Sequence, residues 1–196
     1  MKRILFIIWS LISPVVAFAI EYNIGSYINA TNGKSYAVDV RLKKDKIDYV
    51  YIYMTTQTGV TGYFNFKGKD LQDFYNVLCE MRNKYCEWSD TAANNGVVTF
   101  SKDFGYLLPK GNLFWLGTET WMASNKRLTP MFMVVNAKPM FMLIEKTEAM
   151  QNKYVTETFS LVFTDLTAYD NFTQIFNPES ALKKAIENQN LIEKFK

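Results

Sequence analysis

The sequence predicts an α+β fold: an antiparallel sheet of about six to eight strands, with one long central helix and C-terminal helices packed on one face. Segments that alternate apolar and polar side chains fill much of residues 21–67 and again 97–165. Between them "DLQDFYNVLCEMRNKYCEW" switches to helical spacing, and the chain closes on two further segments with helix-start signals.

Residues 1–19 read as an export signal. Lys2 and Arg3 precede an apolar run from Ile4 to Ile12 and a small-x-small site, Ala17-Phe18-Ala19, after which cleavage is expected. The competing reading is an uncleaved anchor, because Ile4 to Ile20 approaches the ~20 residues that span a bilayer. Ser10, Ser13 and Pro14 interrupt that run, and the alanines stand where a signal peptidase needs them. No cysteine lies near the expected new N-terminus to carry a lipid. The expectation is an exported protein, periplasmic or secreted, with no stable membrane insertion after cleavage. The 177 of 196 residues that remain suit one α+β domain, 20–196, long enough to bury a core without disulfides or metals.

The elements follow in order. "EYNIGSYINATNGKS" reads as a short strand and a turn. In "YAVDVRL" Val38, Val40 and Leu42 point one way and Ala37, Asp39 and Arg41 the other. The basic run "RLKKDK" is then a solvated hairpin tip leading into "IDYVYIYMT", which sets Tyr49, Tyr51 and Tyr53 on one face and Val50, Ile52 and Met54 on the other. "TGYFNFKG" is a further strand. Asp70 is placed to cap a helix whose apolar stripe runs Leu71, Phe74, Leu78, Met81, Tyr85 and Trp88, and this stripe should lie on the sheet. "VVTF", "NLFWLG", "PMFMVV" and "PMFMLIE" are β-rich, the last two forming a hairpin around Asn136, Ala137 and Lys138. "YVTETFSLVFTD" adds a strand, Asp165 caps a helix, and Asn177 followed by Pro178 starts another that should bury Leu182, Ala185, Ile186 and Ile192.

Composition narrows the chemistry. A formal charge of +3, falling to +1 without Lys2 and Arg3, argues against a sequence-independent nucleic-acid binder, so no nucleic-acid partner is expected. The chain has no histidine, which removes Ser-His and Cys-His catalytic pairs and imidazole zinc sites. Cys79 and Cys86 stand seven residues apart in one helix, a rise of about 10.5 Å, beyond the roughly 7 Å that a disulfide tolerates. Export favours pairing, but that needs a helix break near Asn83; the geometry predicts two unpaired, small apolar residues. "DFG" at Asp103 to Gly105 lacks every other kinase element. The methionines of "PMFMVVNAKPMFM" raise copper, since thioethers are soft ligands, yet their alternation within strands reads as core filling. No metal and no cofactor are expected.

The candidate contact residues are aromatic. Trp115, Glu119 and Trp121 lie in a region of turn character, where aromatics beside a carboxylate can build a carbohydrate or peptide platform or raise a carboxyl pKa, although core packing or a strand edge is the plainer reading of the same stretch. Tyr49, Tyr51, Tyr53 and Trp115 are an aromatic surplus beyond what a single core needs. The sequence identifies no catalytic residue. The reading is an exported, non-catalytic binding or interaction module of the cell envelope or extracellular space, meeting a protein partner or a small ligand. The alternative is a carboxylate-dependent hydrolase with an aromatic-lined pocket, acting through acids such as Glu119. A pocket joining two carboxylates to Trp115 or Trp121 favours the hydrolase; a flat tyrosine-rich sheet face favours the binder.

Overall fold

A computed structural model describes residues 20–56, 58–117 and 119–195, so the export-signal reading of 1–19 lies outside the described residues. Ten strands form one antiparallel sheet: β1 (Glu21–Asn29), β2 (Lys34–Lys43), β3 (Lys46–Thr56), β4 (Thr61–Lys67), β5 (Thr99–Asp103), β6 (Gly111–Leu116), β7 (Thr120–Lys126), β8 (Thr129–Val135), β9 (Lys138–Glu148) and β10 (Thr156–Phe163). Helix α1 (Leu71–Asn94) connects β4 to β5, and α2 (Leu166–Ile175) and α3 (Pro178–Glu193) follow β10.

The path across the sheet is β5-β8-β9-β10-β3-β4-β6-β7, with the β1–β2 hairpin added to β3. One edge of β3 is shared: β2 takes Lys46 to Ile52, while β10 pairs only with Thr55 and Thr56. β10 therefore leaves β3 almost at once, and the end of β1 enters the gap. Fully buried Asn29 holds it there, donating to Ser160 O (2.8 Å) and accepting from Val162 N (3.1 Å) and Thr31 N (3.2 Å). At the far side the sheet curls on itself. Met150 N donates to Met122 O (2.8 Å), and Lys126 on β7 reaches Glu145 on β9 at 3.8 Å.

The helices cover one face. The stripe on α1 buries Leu71, Phe74, Leu78, Met81 and Tyr85, as its spacing predicts. Phe74 stacks on Phe66 at 4.9 Å and meets Phe176 at 4.8 Å; Tyr169 of α2 lies 4.4 Å from Phe141 and donates to Leu78 O at 2.6 Å. Aromatic rings thus tie α1, α2 and the sheet into one core.

The antiparallel sheet with a long helix and C-terminal helices on one face forms as expected; it has ten strands, and Thr120–Lys126, read as turn-like, is one of them, paired with β6. Other expectations shift. α1 runs on to Asn94, past the Trp88 at which its apolar stripe ends. Asp70 makes no side-chain cap; a 3-10 turn over Gly68–Asp70 feeds the helix instead, whereas Asp165 and Asn177 do cap, accepting from Ala168 N (2.8 Å) and Ser180 N (3.0 Å). α3 buries Ala181 and Ala185, while Leu182 and Ile186 are half-buried and Ile192 is exposed. The small residues let α3 approach β1 closely, with Lys184 Nζ and Asn188 Nδ2 bonding to Ile24 O and Asn23 O. The β8–β9 turn has two central residues, not three, because Val135 pairs with Lys138.

Candidate functional site: the aromatic outer face of the sheet

The face of β3, β4, β6 and β7 that points away from the helices carries the tyrosines. Strand alternation puts Val50, Ile52, Met54, Phe64, Phe66 and Leu113 in the core, and so places Tyr49, Tyr51, Tyr53, Tyr63, Asn65, Asn112 and Phe114 on the opposite side. Register then sorts these into rows running across the strands. Tyr53 pairs with Tyr63, Tyr63 with Phe114 and Phe114 with Met122, one apolar row over four strands. Beside it runs Asp39, Tyr51, Asn65 and Asn112, and beyond that Arg41, Tyr49 and Lys67.

The rings touch throughout. Tyr63 stacks on Phe114 at 4.9 Å and meets Tyr53 at 5.6 Å and Tyr51 at 5.7 Å; Tyr49 lies 6.4 Å from Tyr51 under the Arg41 guanidinium at 4.6 Å. Arg41 is held there by Asp48, and Tyr53 Oη donates to the Glu21 carboxylate at 3.0 Å. Burial against neighbouring rings raises the Tyr51 phenol to about 12, Arg41 opposing, and pushes Tyr53 and Tyr63 upward as well, with Glu21 reinforcing both. All three hydroxyls stay protonated at neutral pH; Tyr53 directs its hydrogen bond to Glu21, and Tyr51 and Tyr63 keep their protons.

A shallow cleft of about 310 Å³ lies at each end of the face. One, between Tyr53, Tyr63, Phe114 and Leu116, is mainly apolar; the other, around Tyr49, Asn65, Asn112, Lys67, Lys69 and Lys110, is amide- and ammonium-lined. Comparison with family models, curated proteins and solved structures finds no match. The geometry alone carries the functional argument.

The structure sorts the sequence candidates. Tyr49 and Tyr53 are half-buried on this face, and Tyr51 lies in the same row but is only 6% exposed, packed between its neighbours. Trp115 is not an exposed contact: at 2% exposure it points into the core against Phe159, 5.6 Å away, because its neighbours Phe114 and Leu116 take the outward positions. Trp121 pairs with Trp115 in register and is half-buried, its indole against Gly117. Glu119 is exposed at the β6–β7 turn. None of the five prominent clefts among the described residues brings these three together. Tyr63, Asn65, Asn112, Phe114 and Met122 are not among the sequence candidates; alternation within "GYFNF" and "NLFWL" marks the first four once Phe64 and Leu113 are assigned to the core, while Met122 sits in "TWMASNK", which carries no such signal.

Two further features bear on chemistry. Glu145 is the one described carboxylate whose pKa is clearly raised, by burial, with Lys126 partly offsetting the effect. Each of the five prominent clefts contains at most one carboxylate. One apolar cleft, about 350 Å³ between the end of α1 and β5–β8, is lined by Trp88, Phe100 and Phe132, with Lys102 Nζ 4.7 Å over the Trp88 ring. The four methionines of the β8–β9 hairpin do not fill the core: Phe132, Val134, Phe141 and Leu143 do, and Met131, Met133, Met140 and Met142 are half-buried on the outer face. Cys79 and Cys86 are free and lie in an unbroken helix. Of the two Asn-x-Thr sequons, the Asn29 amide is consumed by its bonds to β10.

Proposed function

We propose that the chain is an exported, non-catalytic interaction module that meets a protein partner through the outer face of β3, β4, β6 and β7. The observation that carries this reading is the row Tyr53, Tyr63, Phe114 and Met122, laid across four strands with its rings in mutual contact. Tyrosines held rigid by their neighbours lose little entropy on docking, and each offers a large apolar surface with a hydroxyl at its tip. The clefts at its ends are shallow, and a row that runs across four strands offers a partner protein a long continuous surface, whereas a small ligand needs a concave site burying most of its own. Asn65, Asn112, Asp39, Lys67 and the Arg41–Asp48 ion pair supply a polar rim carrying charges of both signs, the arrangement expected around an apolar interface centre.

The test places a photo-crosslinking benzoylphenylalanine at Phe114 and, as a control, at exposed Lys183 on α3, in the native host. The expected result is one heteromeric adduct from the Phe114 position only, lost when Tyr53→Ser and Tyr63→Ser are added and the fold is intact by circular dichroism. Adducts equal to those of the Lys183 control overturn the reading. So does a small ligand that raises Tm in a thermal-shift screen of the wild type but not of the Tyr63→Ser variant.

A further inference from the structure

We infer that the β8–β9 hairpin carries a binding site for a soft monovalent cation, Cu(I) or its redox-inert analogue Ag(I), built from the thioethers of Met131, Met133, Met140 and Met142. The repeated Met-Phe-Met triplets put each pair of methionines on one face of its strand, two residues apart. Register then makes Met131 the direct partner of Met142, and Met133 of Met140. Four of the nine methionines in the chain so occupy the corners of one small rectangle, all half-buried on the side away from the helices. Cross-strand Cβ atoms stand ~5 Å apart and alternate residues along a strand ~6.7 Å, which puts the centre of the rectangle ~4 Å from each corner. A methionine's rotatable bonds bring Sδ over that centre from any corner.

Thioethers are uncharged soft donors that select Cu(I) over hard ions. Asp103, which pairs with Met131 from β5 and accepts from Gly105 N, places a carboxylate at one side of the cluster, while Lys138, two residues before Met140 on the same face, places an exposed ammonium at another, so the donor set rather than local charge carries the selection. The opposite edge is closed by Val162, which pairs with Met142. The core of the hairpin is already filled by Phe132, Val134, Phe141 and Leu143, so packing of the interior leaves the choice of methionine at all four outward positions unexplained. This site lies beyond β10 from the tyrosine face and does not depend on the function proposed for that face.

The test uses the full chain with Cys79→Ser and Cys86→Ser, which removes the thiolates that would otherwise compete. Calorimetric titration with Ag(I) should show one equivalent bound, and carbon-13 methyl spectra should show four methionine signals shifting together. Binding should change little between pH 5 and pH 8, because a thioether has no proton to lose, unlike an imidazole or thiol ligand. Replacing Met131, Met133, Met140 and Met142 by Leu should weaken binding at least tenfold, while Met122→Leu and Met150→Leu leave it unchanged. If the quadruple variant does not fold, Met131→Leu with Met142→Leu serves in its place, and the methyl spectra need no variant. No bound equivalent, equal shifts at all methionines, or unchanged affinity in a folded Leu variant overturns the inference.

Discussion

Asn29 shows how one side chain can hold a junction. It has no exposure to solvent, and its amide satisfies a carbonyl and an N–H of β10 across the gap where that strand leaves β3. Asn29→Ala strips partners from Ser160 O and Val162 N in a buried setting, and should cost about 2–4 kcal/mol. Urea unfolding checks this: a lower midpoint with an unchanged slope is expected, and a midpoint equal to the wild type would refute the clamp. Glu145 acts in the opposite sense. Burial raises its pKa, so the folded state holds the proton more tightly than the unfolded chain, and stability is fullest below the ordinary carboxylate pKa and falls as pH rises through the raised one. Glu145→Gln removes that fall. The variant should match the wild type near pH 4 and be at least as stable at pH 7, the lost contact to partly exposed Lys126 costing no more than about 1 kcal/mol. Neither role was legible in the sequence, because Asn29 stood in an Asn- and Gly-rich stretch that reads as a turn and Glu145 near the end of an apolar strand. What decides both is a neighbour more than a dozen residues away.

Elements were more legible than their ends. Periodicity alone located α1 and its buried stripe, since a 3.6-residue repeat needs no knowledge of the partner surface. The same logic located the alternation of β3, but which of its faces met the helices depended on the whole sheet, and of the two readings open for Trp115, core packing or a surface contact, its register selects the core. β7 escaped notice because "TWMASNK" lacks a clean alternation of apolar and polar residues. Turn chemistry offers a direct test. Asn136 and Ala137 both adopt positive φ, 51° and 61°, in the two-residue β8–β9 turn. Ala pays for a left-handed backbone that Gly adopts freely, and Asn-Gly is the preferred pair for such a turn. Ala137→Gly should therefore stabilise the protein by about 0.5–1 kcal/mol, despite the greater freedom it gives the unfolded chain. A lower Tm for this variant would show that the turn is not strained. In α1, helical continuity between Cys79 and Cys86 predicts two titratable thiols per unfolded chain under non-reducing conditions. Finding none would mean that the helix opens to let them pair.

The whole molecule is built on tyrosine to an unusual degree, and this gives it a pH limit of definite sign. Tyr27 and Tyr169 are buried in the helix-covered core, Tyr85 lies on the α1 stripe, and Tyr51, Tyr53 and Tyr63 pack on the outer face. In all six, burial is the largest cause of a raised pKa, for Tyr51 to about 12 against an ordinary 10.0. Each binds its proton more tightly folded than unfolded, so each contributes stability that is complete below about pH 10 and is lost as pH climbs through the folded value. The losses add across both faces of the sheet: β3 and β4 carry tyrosines outward and core residues inward, and β3 is also the strand that β2, β4 and β10 share. Ionising the outer row therefore loosens the strand on which both halves of the sheet depend. The expected behaviour is a fall in unfolding free energy beginning near pH 10, with the six packed phenols ionising together with loss of the far-ultraviolet β signal. A single smooth phenolate titration near pH 10, completed while the sheet signal persists, would show that the rows are open to water and that the outer face is not the rigid surface its ring contacts describe.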